Sequence, residues 1–138
     1  MQFDDGYLVV LERDPAKEFF GHRDNDARLA FLTETLQGDA PSIPLEKKWQ
    51  PLHDALVAVE LEDSVLGQCI LGGRPMHRGD DFHVCMVRPD IVGFVAQQAA
   101  QVDTSKLDDD IAELANSTLN LFKTAAQQRA AVVFVAKR

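Results

Sequence analysis

The chain has 138 residues, of which 46% are hydrophobic and 26% charged, and its 22 acids against 14 bases give a formal net charge of −8. That length makes one ordinary domain, able to bury about two-thirds of its unfolded surface and so to fold without metal or disulfide. The acid excess argues against nucleic acid, whose recognition depends on neutralising phosphates with Lys and Arg, and against an anionic membrane surface; it suits a basic protein partner.

No apolar run approaches the ~18 residues that a membrane span requires. The N-terminal stretch MQFDDGYLVVLE carries acids where a signal peptide carries bases, so the expected location is the cytoplasm. Cys69 and Cys85 lack C-x-x-C spacing and read as reduced, partly buried thiols.

Tyr7 to Leu11 (YLVVL) is a short β-branched apolar run, expected as a buried strand that Asp14-Pro15 terminates. Asp24 to Leu36 places Ala27, Ala30, Phe31 and Leu36 at helical spacing, with Asp24 or Asn25 as N-cap and Gly38 where a left-handed C-cap belongs. Asp39 to Pro44, with two prolines, reads as a loop. A helix follows through KKWQPLHDALV, its apolar face formed by Trp49, Leu52, His53, Leu56 and Val57. Pro51 requires that this helix start near Lys48 or kink, because proline fits only the first turn. Asp63 to Ile70 is a shorter helical candidate, and Leu71-Gly72-Gly73-Arg74-Pro75 a turn.

Met76 to Asp81 is polar and read as loop, whereas Phe82 to Val87 (FHVCMV) alternates as a strand. Pro89 opens a helix to about Gln101, with Ile91, Val92, Val95, Ala96, Ala99 and Val102 inward; Gly93 inside it suggests close packing. A polar linker from Asp103 leads to a long helix from about Asp109 to Gln128, its buried stripe comprising Ile111, Leu114, Ala115, Thr118, Leu121, Phe122 and Ala125. Its initial aspartates and the terminal Arg129 complement the helix dipole. Ala130 to Ala136 (AAVVFVA) is a last strand. Strands and helices do not alternate regularly, so the expected class is α+β: a small mixed or antiparallel sheet of about three strands packed by roughly four or five helices, in a single domain spanning residues 1–138.

Lys48-Trp49, Leu52-His53, Leu56 and the run Ile70 to Pro75 resemble the YfbM-like family of bacterial proteins, a domain of unknown function. The resemblance extends through a strand entering a Pro-initiated helix, here Val84 to Val95, and through the apolar final strand. It is strongest from Leu45 to Val102. The family's aromatic element before the last helix is missing between Asp103 and Asp110, which marks a divergent or shortened member. The resemblance implies an α+β fold and brings no established chemistry.

Candidate sites are few. His53, beside Asp54 and one turn from Trp49, has the side chain of a general base, although a histidine on an apolar helix face more often serves packing. The run H-R-G-D-D-F-H offers His77, Asp80, Asp81 and His83 as metal ligands in a spacing that matches no established motif; His77, Asp81 and His83 are the set to test. Motifs of common hydrolases, nucleotide-binding loops and zinc ribbons are missing, and no cofactor is implied. The resulting expectation is a non-enzymatic binding protein of the bacterial cytoplasm, in its most concrete form an immunity or inhibitor protein that holds a basic toxin through Asp24, Asp26, Asp80, Asp81, Asp108 and Asp109. The alternatives are a small-molecule or hydrolytic site in a cleft beside Trp49 and His53, and a homo-oligomer joined by an apolar helix face.

Overall fold

The computed structural model describes residues 5–59, 64–70, 74–78 and 82–137. Five strands form one sheet: β1 (Asp5–Leu11), β2 (Ser42–Pro44), β3 (Arg74–Arg78), β4 (Phe82–Val87) and β5 (Ala131–Lys137). Their order is β2-β1-β5-β4-β3, and every neighbouring pair is antiparallel. Among the described residues five α-helices accompany them: α1 (Arg13–Gly21), α2 (Asn25–Leu36), α3 (Trp49–Val57), α4 (Pro89–Ala99) and α5 (Asp109–Gln127). The class is α+β as expected, with five strands in place of three.

The two extra strands lie at the sheet edges, where they carry little apolar signal. β2 is three residues long and ends in Pro44, which the edge tolerates because one side of the strand needs no ladder donors. β3 contains Pro75, and its pairing with β4 shifts register between Pro75 and His77. The last two strands are legible for the opposite reason. Apart from His83 and the terminal Lys137, β4 and β5 are apolar throughout because both faces of the sheet are covered, so neither face has to be polar.

Two cores result. On one face Leu8 and Val10 of β1, Cys85 and Val87 of β4, and Val132, Phe134 and Ala136 of β5 pack under α3, α4 and α5. On the other face Val9, Leu11, Val84, Met86, Val133 and Val135 pack under α1 and α2, chiefly through Phe19 and Leu32. The register sets the rows directly: Leu8, Phe134 and Cys85 stand side by side, and so do Val9, Val133 and Met86.

Proline defines three helix starts. Pro89 is the first residue of α4, and Val92 N–H closes the first turn onto the Arg88 carbonyl at 2.9 Å. Trp49 opens α3 after a turn of 3-10 helix (Glu46–Lys48), so Pro51 falls in the first turn, where its missing N–H removes no bond. Pro15 occupies the same place in α1: Ala16 N–H bonds the Glu12 carbonyl at 2.8 Å just past it. Asp14-Pro15 therefore starts a helix rather than merely ending a strand.

Other expectations are corrected. Gly38 does not take a left-handed conformation; α2 instead ends in tight turns, with Gln37 N–H on the Glu34 carbonyl and Gly38 N–H on the Thr35 carbonyl, both at 3.1 Å. Gly93 has open space where a Cβ would stand, so close packing is not its reason. Of the Asp63 to Ile70 candidate, the described part holds one 3-10 turn, Leu66–Gln68. The Leu71 to Gly73 turn lies outside the described residues.

Trp49 sits where α3 meets the sheet. Its ring lies 5.5 Å from that of Phe134, at an interplanar angle of 48°. Gly6 of β1 lies directly beneath: a Cβ there would meet the indole at 2.9 to 3.0 Å. A glycine is needed at that point so that the backbone can approach the ring.

Candidate functional site

The sequence-selected histidines come apart. His77 packs its ring on Phe82, with centroids 4.1 Å apart, on the face covered by α1 and α2. His83 shares the opposite face with Cys85, and its Nε2 lies 3.0 Å from the Cys85 Sγ. The sheet stands between the two imidazoles, because His77 pairs with Val84, the next residue along β4 from His83, and successive side chains point to opposite faces. The structure thus does not bring His77 and His83 together as ligands of one ion, and Asp80 and Asp81 lie outside the described residues. Among the described residues, no group of three or more His, Cys, Asp and Glu side chains is arranged to hold a metal.

Both cysteines are free and buried, and burial pushes the Cys69 thiol up to about 12. A thiol so far from ionising is no nucleophile.

His53 is half-buried on α3. Desolvation lowers its pKa below the usual imidazole value, opposed by the neighbouring Asp54 carboxylate. Its Nδ1 is buried without a hydrogen-bond partner among the described residues. Three surface clefts have volumes of about 480, 460 and 660 Å³, and neither Trp49 nor His53 lines any of them. The loop that was to close a cleft beside α3, Leu71 to Asp81, is described only at residues 74–78.

The selected aspartates also fall on separate surfaces. Asp24 caps α2, accepting from the Asp26 N–H at 3.4 Å. This end of α2 is tied toward the β3 edge, since Arg28 donates to the Met76 carbonyl at 3.3 Å. Asp108 and Asp109 begin α5, in the helical layer on the other side of the sheet. These exposed carboxylates do not form one patch.

A different acidic site is formed around α1. A cleft of about 480 Å³ lies between α1, α2 and the β1–β2 edge. Pro15, Phe31 and Pro41 give it an apolar floor over the buried Val10 and Leu11. Glu12, Glu18, Glu34 and Asp39 line it, and no Lys or Arg does. All four acids are exposed, so they are available to a partner. Two elements position them. Glu12 stands at the residue before α1 and Glu18 follows on that helix, while Glu34 and Asp39 come from the end of α2 and the residues after it. The cleft escaped the sequence reading because α1 did. The available signal was Glu12 and Glu18 around Pro15, which becomes a helix face once Pro15 is placed in a first turn.

On its other flank α1 carries bases. Arg13, Ala16, Lys17 and Phe20 recur at helical spacing and line the cleft of about 660 Å³. One short helix thus separates an acidic cleft from a basic one.

No family model matches the sequence, and no curated protein matches it. Among solved structures, that of YfbM from Escherichia coli, a protein of unknown function, matches with a TM-score of 0.68 at 12% identity, over 96% of this chain and 99% of that one. The chain therefore has a YfbM-like fold, as the residues from Leu45 to Val102 suggested. The alignment runs almost end to end, so divergence of sequence, and not shortening, separates the two. At this identity the likeness speaks for the fold and carries no activity.

Proposed function

We propose that the protein is a non-catalytic binding module of the bacterial cytoplasm that holds a basic protein partner in the cleft between α1, α2 and the β1–β2 edge. The observation that carries this reading is the cleft itself: four carboxylates over an apolar floor, with no base among the lining residues. Carboxylates in such a setting pair with Arg and Lys, while the exposed Pro15 and Pro41 and the half-buried Phe31 offer contact to the aliphatic stems of those side chains. The net charge of −8 adds long-range attraction for the same partner and speeds encounter. An immunity or inhibitor protein acting on a basic toxin is the most concrete form of the proposal.

Co-expression with the product of the adjacent gene tests it. The expected result is a salt-sensitive complex and protection of cells from that product. The absence of both a complex and protection would overturn the immunity reading.

A further inference from the structure

We infer that the cleft of about 660 Å³ between α1, the β4–α4 junction and the α5–β5 junction binds a small organic anion, a phosphomonoester carried on an apolar or aromatic body. This site is separate from the acidic cleft and does not depend on the function proposed for it.

The first observation is charge. The chain has 14 bases, and four of them, Arg13, Lys17, Arg88 and Arg129, line this one cleft. They come from three stretches far apart in sequence, so the fold assembles them. Asp90 is the one carboxylate of the lining, at 3.6 Å from Arg88, and both side chains of that pair are more than half exposed. Such a pair is weak and leaves the guanidinium available. In a molecule with a net charge of −8, the local balance here is reversed.

The second observation is backbone. Arg129 follows α5 with φ of 53°, one of two non-glycine residues described with positive φ, the other being Glu46. The bonds around it form a complete Schellman cap: Ala130 N–H to the Ala125 carbonyl at 2.9 Å and Arg129 N–H to the Ala126 carbonyl at 3.1 Å. Glycine is the residue that fits this position without strain. An arginine there is unfavourable for the fold and places a guanidinium at the mouth of the cleft.

The third observation is the floor. Phe20 keeps 40% of its area exposed and supplies the apolar surface, while Met86 and Ala131 lie buried beneath the cleft. Guanidinium groups bind phosphate oxygens in pairs, and an exposed phenyl ring stacks on a flat apolar body. The volume is that of a small-molecule site.

Phenyl phosphate is the probe, followed by amide chemical shifts of the labelled protein. Saturable shifts confined to the neighbourhood of Lys17, Phe20, Arg88, Arg129 and Ala131 are expected, with phenyl phosphate binding more tightly than inorganic phosphate. Arg129→Gly relieves the backbone and is expected to raise the melting temperature while weakening phenyl phosphate about tenfold, the loss of one charge-assisted bond. Arg88→Gln weakens it similarly, whereas Lys47→Gln, which removes a charge outside the cleft, leaves it unchanged. Shifts scattered over the surface, equal affinity for inorganic phosphate, or full affinity in both arginine variants would overturn the inference.

Discussion

Two buried polar atoms lack hydrogen-bond partners among the described residues, His53 Nδ1 and Thr118 Oγ1, and each has a measurable consequence. The folded protein holds the His53 pKa below 6.5, chiefly by desolvation, while the unfolded chain titrates near that value. Between the two pKa values the unfolded state binds more protons. The contribution of His53 is therefore favourable above about pH 6.5 and is lost as the pH falls from there through the folded pKa. Urea unfolding at a series of pH values should show a smaller decline on acidification for His53→Gln than for the parent; parallel curves would contradict the assignment. Thr118 is fully buried on the inward face of α5. Thr118→Val keeps the shape and removes an unpaired hydroxyl, so it should stabilise the fold by ~1 kcal/mol, read as a higher urea midpoint at unchanged slope.

At the scale of elements, strong apolar periodicity was legible and edges were not. β1, β4, β5, α2, α4 and α5 follow from runs such as YLVVL and from stripes such as Ile111, Ala115 and Phe122. α1 was hidden because Asp14-Pro15 is at once a turn signal and an acceptable first helical turn, and only the sheet beneath Phe19 decides between them. β2 and β3 were hidden because short proline-containing edge strands have no buried face of their own to pattern. The two clefts beside α1 disappeared with that helix, which is why Glu12, Glu18, Arg13 and Lys17 were not singled out. Glycines in two elements give opposite expectations. Gly93→Ala in α4 enters open space and should stabilise by about 1 kcal/mol, the intrinsic helix preference. Gly6→Ala in β1 meets the Trp49 indole and should destabilise by roughly 1–3 kcal/mol. Thermal unfolding of both variants reads the difference, and a shift of the same sign in both would count against this packing.

For the whole molecule, an antiparallel sheet covered on both faces leaves function to the surface between its helices. Charge there is sorted rather than spread: acids at the cleft of Glu12, Glu18, Glu34 and Asp39, bases at that of Arg13, Lys17, Arg88 and Arg129, with α1 as the common wall. The sequence made the acid excess and the basic partner reasonable but pointed to the aspartates of loops and helix caps. The fold gathers other carboxylates, because proximity across α1 and α2 is a tertiary fact. No described helix is long and apolar enough to cross a membrane. Calorimetric titration with the adjacent gene's product distinguishes the acidic cleft from the aspartates of the loops and helix caps as the partner's site. The quadruple variant Glu12→Gln, Glu18→Gln, Glu34→Gln, Asp39→Asn should lose at least about tenfold in affinity, and the parent should weaken as salt rises, because these carboxylates are exposed and screened. The comparison variant Asp24→Asn, Asp26→Asn, Asp108→Asn, Asp109→Asn should bind like the parent. Undiminished binding by the cleft variant, or loss confined to the comparison variant, would contradict the account.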